Sequence, residues 1–491
     1  MLFNSITYLL FLPFVVAAFW LLPHRFRNVM LLIASYFFYV SWIPTYGLLL
    51  AGLTFFNYFL GLAIAKRDGT ARALLWFSVA ANLLALSYYK YTDFLLSNWN
   101  QFVQAAAPFL AIDTAHLSFP LQHVILPLGI SFFVFEFIHY QSDVYRGTAP
   151  VKDYVRFSLF AAFFPSQIAG PIKRYQDFDA QMAIAREFSW LNVERGLQLI
   201  LQGLFKKAAI ADNLCAVVAQ GFSHSASLGG AEAWLAALAF AVQIYCDFSG
   251  YTDMGRGSAL IMGFDLPDNF NFPYMATNLP DFWKRWHISL SSWLRDYLYI
   301  PLGGSKCGVN RKYFNLFATM LLGGLWHGAS WHFAVWGALH GIGLIVCHVY
   351  DSFLSSMHSV AGRLRQFHQT GFGKSLSVVV TFLFVLVGWV YFRAESVGQA
   401  HAVLSKMVCF AHSTYLTESI EQQPGVLALF LYAVYRAAVF ASPRLSAKMP
   451  INFQPLLKPM VPARLALYVG AFVLSIGLAP LGETPFIYFA F

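Results

Sequence analysis

Apolar runs recur along almost the whole of this chain, and no other feature narrows its fold as far. They cover residues 6–22, 29–40, 48–65, 74–86, 124–138, 234–244, 314–325, 333–349, 376–390, 426–438 and 465–478. A helix needs roughly 20 residues to cross about 30 Å of hydrocarbon, so several of these runs suffice, and the shorter ones suit re-entrant or protein-buried segments. Of the 491 residues, 58% are hydrophobic and 11% charged, whereas about a quarter are charged in a typical soluble domain. A soluble globule is excluded. The expected fold is an all-α polytopic membrane protein of about a dozen spanning and re-entrant helices.

The first run passes straight into Pro23, His24 and Arg25 with no small-residue cleavage site, so it reads as a first span rather than a removable signal. Arg25 and Arg27 follow the first run, and Lys66, Arg67 and Arg72 follow the third, while residues 1–5 carry no basic side chain. The positive-inside rule then predicts a multi-pass protein of the cytoplasmic membrane with its N-terminus outside. The net charge of +9 comes from Lys and Arg at span ends, which implies contact with lipid headgroups and gives no sign of nucleic acid. One cationic group, Lys284, Arg285, Arg295, Lys306, Arg311 and Lys312, also suits the phosphates of an anionic substrate. Five cysteines stand singly, without the spacing of a metal site or a disulfide framework.

No repeat or low-complexity linker divides the chain, so residues 1–491 read as one domain with three zones. Residues 1–120 are plain spans, 121–349 hold the unusual polar groups, and 350–491 return to spans separated by polar loops near 351–374 and 411–424. Residues 190–221 alternate leucine-rich turns with Arg195, Lys206, Lys207 and Asp212, the pattern of a helix lying partly in the membrane interface. Pro165, Gly170 and Pro171 break the segment FFPSQIAGPIKRY. Broken backbone at membrane depth survives only where protein or a watery cavity satisfies it, so a cavity is expected in the middle zone.

Three segments there concentrate groups that are costly to bury. In IYCDFSGYTDMGRGSALIMGF, Asp247 and Asp253 fall on opposite sides of an ideal helix, which argues against a carboxylate dyad. These two, with Ser249, are expected to pair with basic side chains as a structural polar core. In NLPDFWKRWHISLSSWLRDYLYIPLGG, Trp283, Trp286 and Trp293 alternate with Lys284, Arg285, His287, Arg295 and Asp296, the pattern of a surface helix. Asp281 and Asp296 interleaved with cations imply an ordered ion-pair network beneath a headgroup or nucleotide pocket. In GLWHGASWHFAVWGALHG, the histidines at 327, 332 and 340 splay over different helix faces with no HExxH, so no metal is expected. His332 reads as a hydrogen-bonded core residue. His327 lies among Gly324, Gly328 and Ala329, whose small size is expected to let a substrate approach the ring, and a neutral imidazole can act as general base toward a hydroxyl.

WHGASWHFAVWGALHG, DFWKRWHISLSSWLRDYLYIPLGG, DFSGYTDMGRGSALIMGF, LPLGISFFVFEFIHYQSDVYRG and FPSQIAGPIKRY resemble the motifs of the membrane-bound O-acyltransferase family, in particular its bacterial polysaccharide O-acetylation branch. The resemblance covers residues 126–341. It implies a helical fold around a central tunnel with a funnel on each side. It also implies acetyl-CoA as acetyl donor, with no permanently bound cofactor, a polysaccharide acceptor (alginate, peptidoglycan or cellulose type) outside the cell, and a periplasmic acetyltransferase or esterase-like partner. His327 matches the family's catalytic histidine, and His340 is carried as a second polar group. Lys284, Arg285, Trp286, His287, Arg295, Asp296 and Trp326 are assigned to donor binding. A lipid or protein hydroxyl as acceptor, and a transporter without transferase activity, are the alternatives.

Overall fold

Capping residues and prolines decide where the first helices begin. The computed structural model describes residues 1–110, 117–168, 170–356, 358–409, 428–429, 432–433 and 462–480. Ser5 caps α1 (Ile6–Leu21) by accepting from the Tyr8 N–H, and α3 (Pro44–Ile64) starts on a proline, whose missing N–H is harmless in a first turn. Between them runs α2 (His24–Val40). The Met1 ammonium donates to Ser41 Oγ at 3.0 Å, which puts the N-terminus and the α2–α3 turn on one face of the bundle, the Met1 face. The turns before α2 and after α3 share the opposite face, the Arg67 face.

The helix α4 (Ala71–Leu110) is 40 residues long, about 60 Å and thus twice the hydrocarbon thickness. Residues 117–122 return along its outer part, where Trp99 donates to the Leu117 carbonyl and Asp93 accepts from the Gln122 N–H. From there α5 (Ile130–Arg146) crosses to the Arg67 face and ends at Gly147, a left-handed cap with φ 116°.

The next segment enters the bundle and leaves by the same face. Asp153 caps α6 (Tyr154–Ala162), the chain turns through α7 (Phe164–Gln167), and α8 (Tyr175–Ala183) lies back at the Arg67 face, where Arg156 pairs with Asp179 at 2.6 Å. At the turn, Phe164 N–H finds Ser35 and Ile172 N–H finds Ser289. Protein side chains thus satisfy the backbone that Pro165 and Pro171 leave unpaired.

A single pass is formed by α9 (Trp190–Leu204), a π-helical stretch Phe205–Ala211 and α10 (Asp212–Ser223), packed antiparallel to α11 (Gly230–Ile261). Glycines allow the contact: a Cβ at Gly203 would lie 2.4 Å from the Gly250 carbonyl oxygen. The expectation that residues 190–221 lie in the interface is corrected here. The π-helical winding turns two consecutive lysines inward. Lys206 pairs with Asp253 and donates to Ser249, while Lys207 lies 2.7 Å from both Asp212 and Asp247.

Two short helices follow, α12 (Leu279–Trp283) and α13 (Ile288–Leu294), with a π-helical turn Arg295–Tyr299. The long helices α14 (Val309–His327), α15 (Trp331–Ser356) and α17 (Gly371–Arg393) complete the core, with α16 (His358–Gln369), α18 (Val397–Cys409) and α19 (Pro462–Gly477) around them. The polar stretch 351–374 is therefore helix and not loop. The stretch 411–424 and most of the run 426–438 lie outside the described residues. The architecture is all-α, and α3, α4, α11, α15 and α17 are each long and apolar enough to cross a membrane.

Candidate active site

His327 ends α14, and three neighbouring contacts hold that end in place. Lys90 Nζ on α4 donates to the carbonyls of Trp326 at 2.6 Å and His327 at 2.8 Å, and Tyr91 Oη donates to that of Leu325 at 2.7 Å. A helix C-terminus leaves its last carbonyls without intrahelical partners and carries partial negative charge, so a lysine there satisfies both. The His327 ring is buried, with Trp326, Trp336 and Phe392 at centroid distances of 5.0, 5.2 and 5.2 Å.

One edge of this site is open. His327, Trp326 and Lys90 line a cavity of about 90 Å³ together with Trp42, residues 126–132 and Ile168, all toward the Met1 face. Access comes from this direction and not through the glycines. A Cβ at Gly324 would strike the Phe333 carbonyl oxygen at 2.4 Å, and one at Gly328 would strike the Phe333 ring at 2.1 Å. Both glycines let α14 and α15 touch, which corrects the expectation that they make room for substrate.

A second cavity, of about 350 Å³, opens from the Arg67 face and is lined by Ile172, Lys173, Arg174, Asp177, residues 265–268 and Ser289. Its two cations are both engaged: Lys173 with Glu136 at 2.7 Å and Arg174 with Asp296 at 2.8 Å. Asp177, Asp265 and Asp268 lie on its exposed wall, and Lys173 is its most buried charge. The re-entrant segment contributes to both cavities. Ile168 and Ile172 belong to one turn of the re-entrant segment, and Phe135 stacks between Trp293 and Trp326 at 3.8 and 5.1 Å.

The segment 278–304 is not the continuous surface helix that its pattern predicts. Trp286 forms an antiparallel bridge with Phe270, and His287 takes a left-handed conformation, φ 43°, so the chain bends between α12 and α13. Trp286 is consequently buried against Phe270, Phe282 and Trp389, and His287 is buried against Phe248, 6.4 Å from the Trp326 ring. Asp281 holds Arg285 at 2.8 Å, Asp296 holds Arg295 at 2.8 Å, and Lys284 is exposed. Asp247, Ser249 and Asp253 belong to the lysine network of α11, away from both cavities.

His340 lies one turn beyond Trp336 on α15, and that indole stands between the two imidazoles, 5.2 Å from His327 and 4.9 Å from His340. His332 Nδ1 lies 3.0 Å from the Tyr391 carbonyl, which can only accept, so that nitrogen carries the proton and donates. Lys90, Glu136, Lys173 and Arg174 escaped the motif reading. A lone lysine within a long apolar helix is itself a signal of function or of a polar partner.

A buried imidazole beside one cavity, with a second cavity opening from the opposite face, is a geometry for joining two reactants that arrive from different sides. Residues 32–372 match the sequence profile of the membrane-bound O-acyltransferase family, and both cavities lie within that span. The chain belongs to this family and is a membrane-embedded acyltransferase.

Among its relatives is a probable alginate O-acetylase of Pseudomonas aeruginosa, 39% identical, with 92% of this chain and 84% of the relative covered. A peptidoglycan O-acetyltransferase of Helicobacter pylori is 39% identical over 78% of this chain and 74% of the relative. A teichoic acid D-alanyltransferase of Bacillus subtilis is 30% identical over 61% of this chain and 76% of the relative.

Proposed function

We infer that the protein takes acetyl groups from acetyl-CoA in the cytoplasm and passes them across the inner membrane for O-acetylation of an extracytoplasmic polysaccharide. The observation that carries this reading is the position of His327 in the wall of the Met1-face cavity, with a second cavity on the Arg67 face that draws on the same re-entrant segment through Ile172. Arg25, Arg27, Lys66, Arg67 and Arg72 fall at the Arg67 face, which supports a cytoplasmic assignment for that face and an N-terminus outside. The names of the alginate and peptidoglycan relatives support a polysaccharide as final acceptor.

The Arg67-face cavity suits a neutral pantetheine arm better than phosphates, because its two cations are already paired and its exposed wall carries Asp177, Asp265 and Asp268. The phosphates belong at the outer rim, near Lys284, Lys306, Arg311 and Lys312. The outer cavity is small, about 90 Å³, and admits an acetyl group with one hydroxyl-bearing arm rather than a glycan strand. That supports delivery through a periplasmic acetyltransferase or esterase-like partner.

The chemistry follows from the site. His327 takes the proton of the acceptor hydroxyl as its oxygen attacks the acetyl carbonyl carbon. Collapse of the tetrahedral adduct breaks the carbon–sulfur bond, and the imidazolium returns the proton to the departing thiolate. Purified protein supplied with labelled acetyl-CoA and an acceptor or partner transfers label, and His327→Ala abolishes transfer. Full activity in that variant overturns the assignment.

A further inference from the structure

We propose that Lys90 is a second catalytic residue, whose ammonium stabilises the oxyanion that develops on the acetyl group beside His327, with the Trp326 indole N–H as its companion donor. The proposal rests on the acyl-transfer reading above and adds the group that handles the negative charge.

Three observations converge. First, Lys90 lines the same cavity as His327. An ammonium has three N–H donors, and the two carbonyls of Trp326 and His327 occupy two of them. Second, the half-buried Lys90 has no carboxylate within ion-pair distance among the described residues. The other buried lysines, Lys173, Lys206 and Lys207, all have one. A cation withdrawn from water without an anion is costly, and carbonyl dipoles at a helix end offset only part of that cost. Third, the Trp326 indole nitrogen is buried with no hydrogen-bond acceptor, and its ring packs 5.9 Å from Lys90 Nζ. Two donors beside the general base lack an anionic acceptor, and the tetrahedral adduct brings one.

The electron bookkeeping is simple. As the new carbon–oxygen bond forms, the carbonyl π pair moves onto the acetyl oxygen, which becomes the oxyanion. Its negative charge lasts until the carbon–sulfur bond breaks and the carbonyl reforms. Lys90 stays protonated throughout and exchanges no proton. Charge present only in the adduct means that Lys90 acts on kcat and not on ground-state binding.

Lys90→Met keeps the unbranched stem and removes charge and donors, and Trp326→Phe keeps a ring and removes the N–H. Each is expected to lower kcat about 100-fold while the acetyl-CoA KM changes less than about 3-fold. A methylphosphonate monoester, a stable anionic mimic of the adduct, is expected to bind the intact protein and to lose about 100-fold in affinity in Lys90→Met. A neutral methyl-ketone analogue of acetyl-CoA keeps its affinity. Thr92→Val is the structural comparison, since it changes the neighbouring residue of α4, whose hydroxyl bonds only the Tyr88 carbonyl, and lies outside the cavity lining.

A matching kcat loss in Thr92→Val, an equal loss of both analogues in Lys90→Met, or wild-type kcat in Lys90→Met with a lowered melting temperature would each overturn the proposal. If Lys90→Met does not fold, Trp326→Phe and Lys90→Gln carry the same comparison. An intact protein that binds the phosphonate through Lys90 yet ignores acetyl-CoA refutes the donor assignment and leaves the oxyanion site standing. One that binds no phosphonate refutes the oxyanion site.

Discussion

The tight seat of Gly324 makes Gly324→Ala an informative single change. An alanine Cβ there would sit 2.4 Å from the Phe333 carbonyl oxygen and 2.9 Å from Gly337 Cα, where ordinary contact begins at 3.4 Å. Backbone on both sides leaves no flexible side chain to give way, so α15 must retreat by about 1 Å. His327 follows less than one turn later and rests against Trp336 of α15, so its ring moves with that displacement. Misplacing a catalytic group by about 1 Å costs on the order of 100-fold in rate, and overpacking costs about 1–3 kcal/mol of stability. The adjacent Gly323→Ala is the control. Its Cβ would approach only the end of Leu294, at 3.2 Å, and a terminal methyl can rotate aside. Initial rates with acetyl-CoA and unfolding in mixed micelles measure both variants. Wild-type kcat in Gly324→Ala, or equal damage in the two variants, would refute the claim that helix contact sets the position of the imidazole.

Two further changes test the charged framework. Lys207→Met strands Asp212 and Asp247, each 2.7 Å from the lost ammonium, and is expected to destabilise by about 3–5 kcal/mol in the same unfolding measurement. Adding Asp212→Leu and Asp247→Leu to it should recover most of that loss, and a single variant within 1 kcal/mol of wild type would sink the reasoning. Asp296→Asn loosens Arg174, which lines the Arg67-face cavity, and Arg295 beside it. It is expected to raise the acetyl-CoA KM several-fold with little change in kcat, as rates over a range of donor concentrations will show.

The apolar runs announced a helical membrane protein because only internally hydrogen-bonded segments survive in hydrocarbon. Where polar groups meet was far less legible. Asp247 and Asp253 were expected to pair with cations, but nothing in 190–221 revealed that a π-helical turn points Lys206 and Lys207 in the same direction. The glycines before and after His327 read as open space, yet they mark the place where two helices touch. A missing side chain records close approach without saying what approaches. The tryptophan and arginine alternation after Asn278 reads as a surface helix until the Phe270 bridge breaks it. His327 was legible through its motif. Lys90 was not, because its contacts to residues 326 and 327 span more than two hundred positions of sequence.

The re-entrant hairpin between Tyr154 and Ala183 enters and leaves by one face, yet its tip contributes Ile168 to the outer chamber and Ile172 to the inner one. A small molecule wedged beneath it from the Arg67 face would therefore deform the chamber of His327 without entering it. This gives inhibitor design a handle on the reacting site from the opposite side of the bundle.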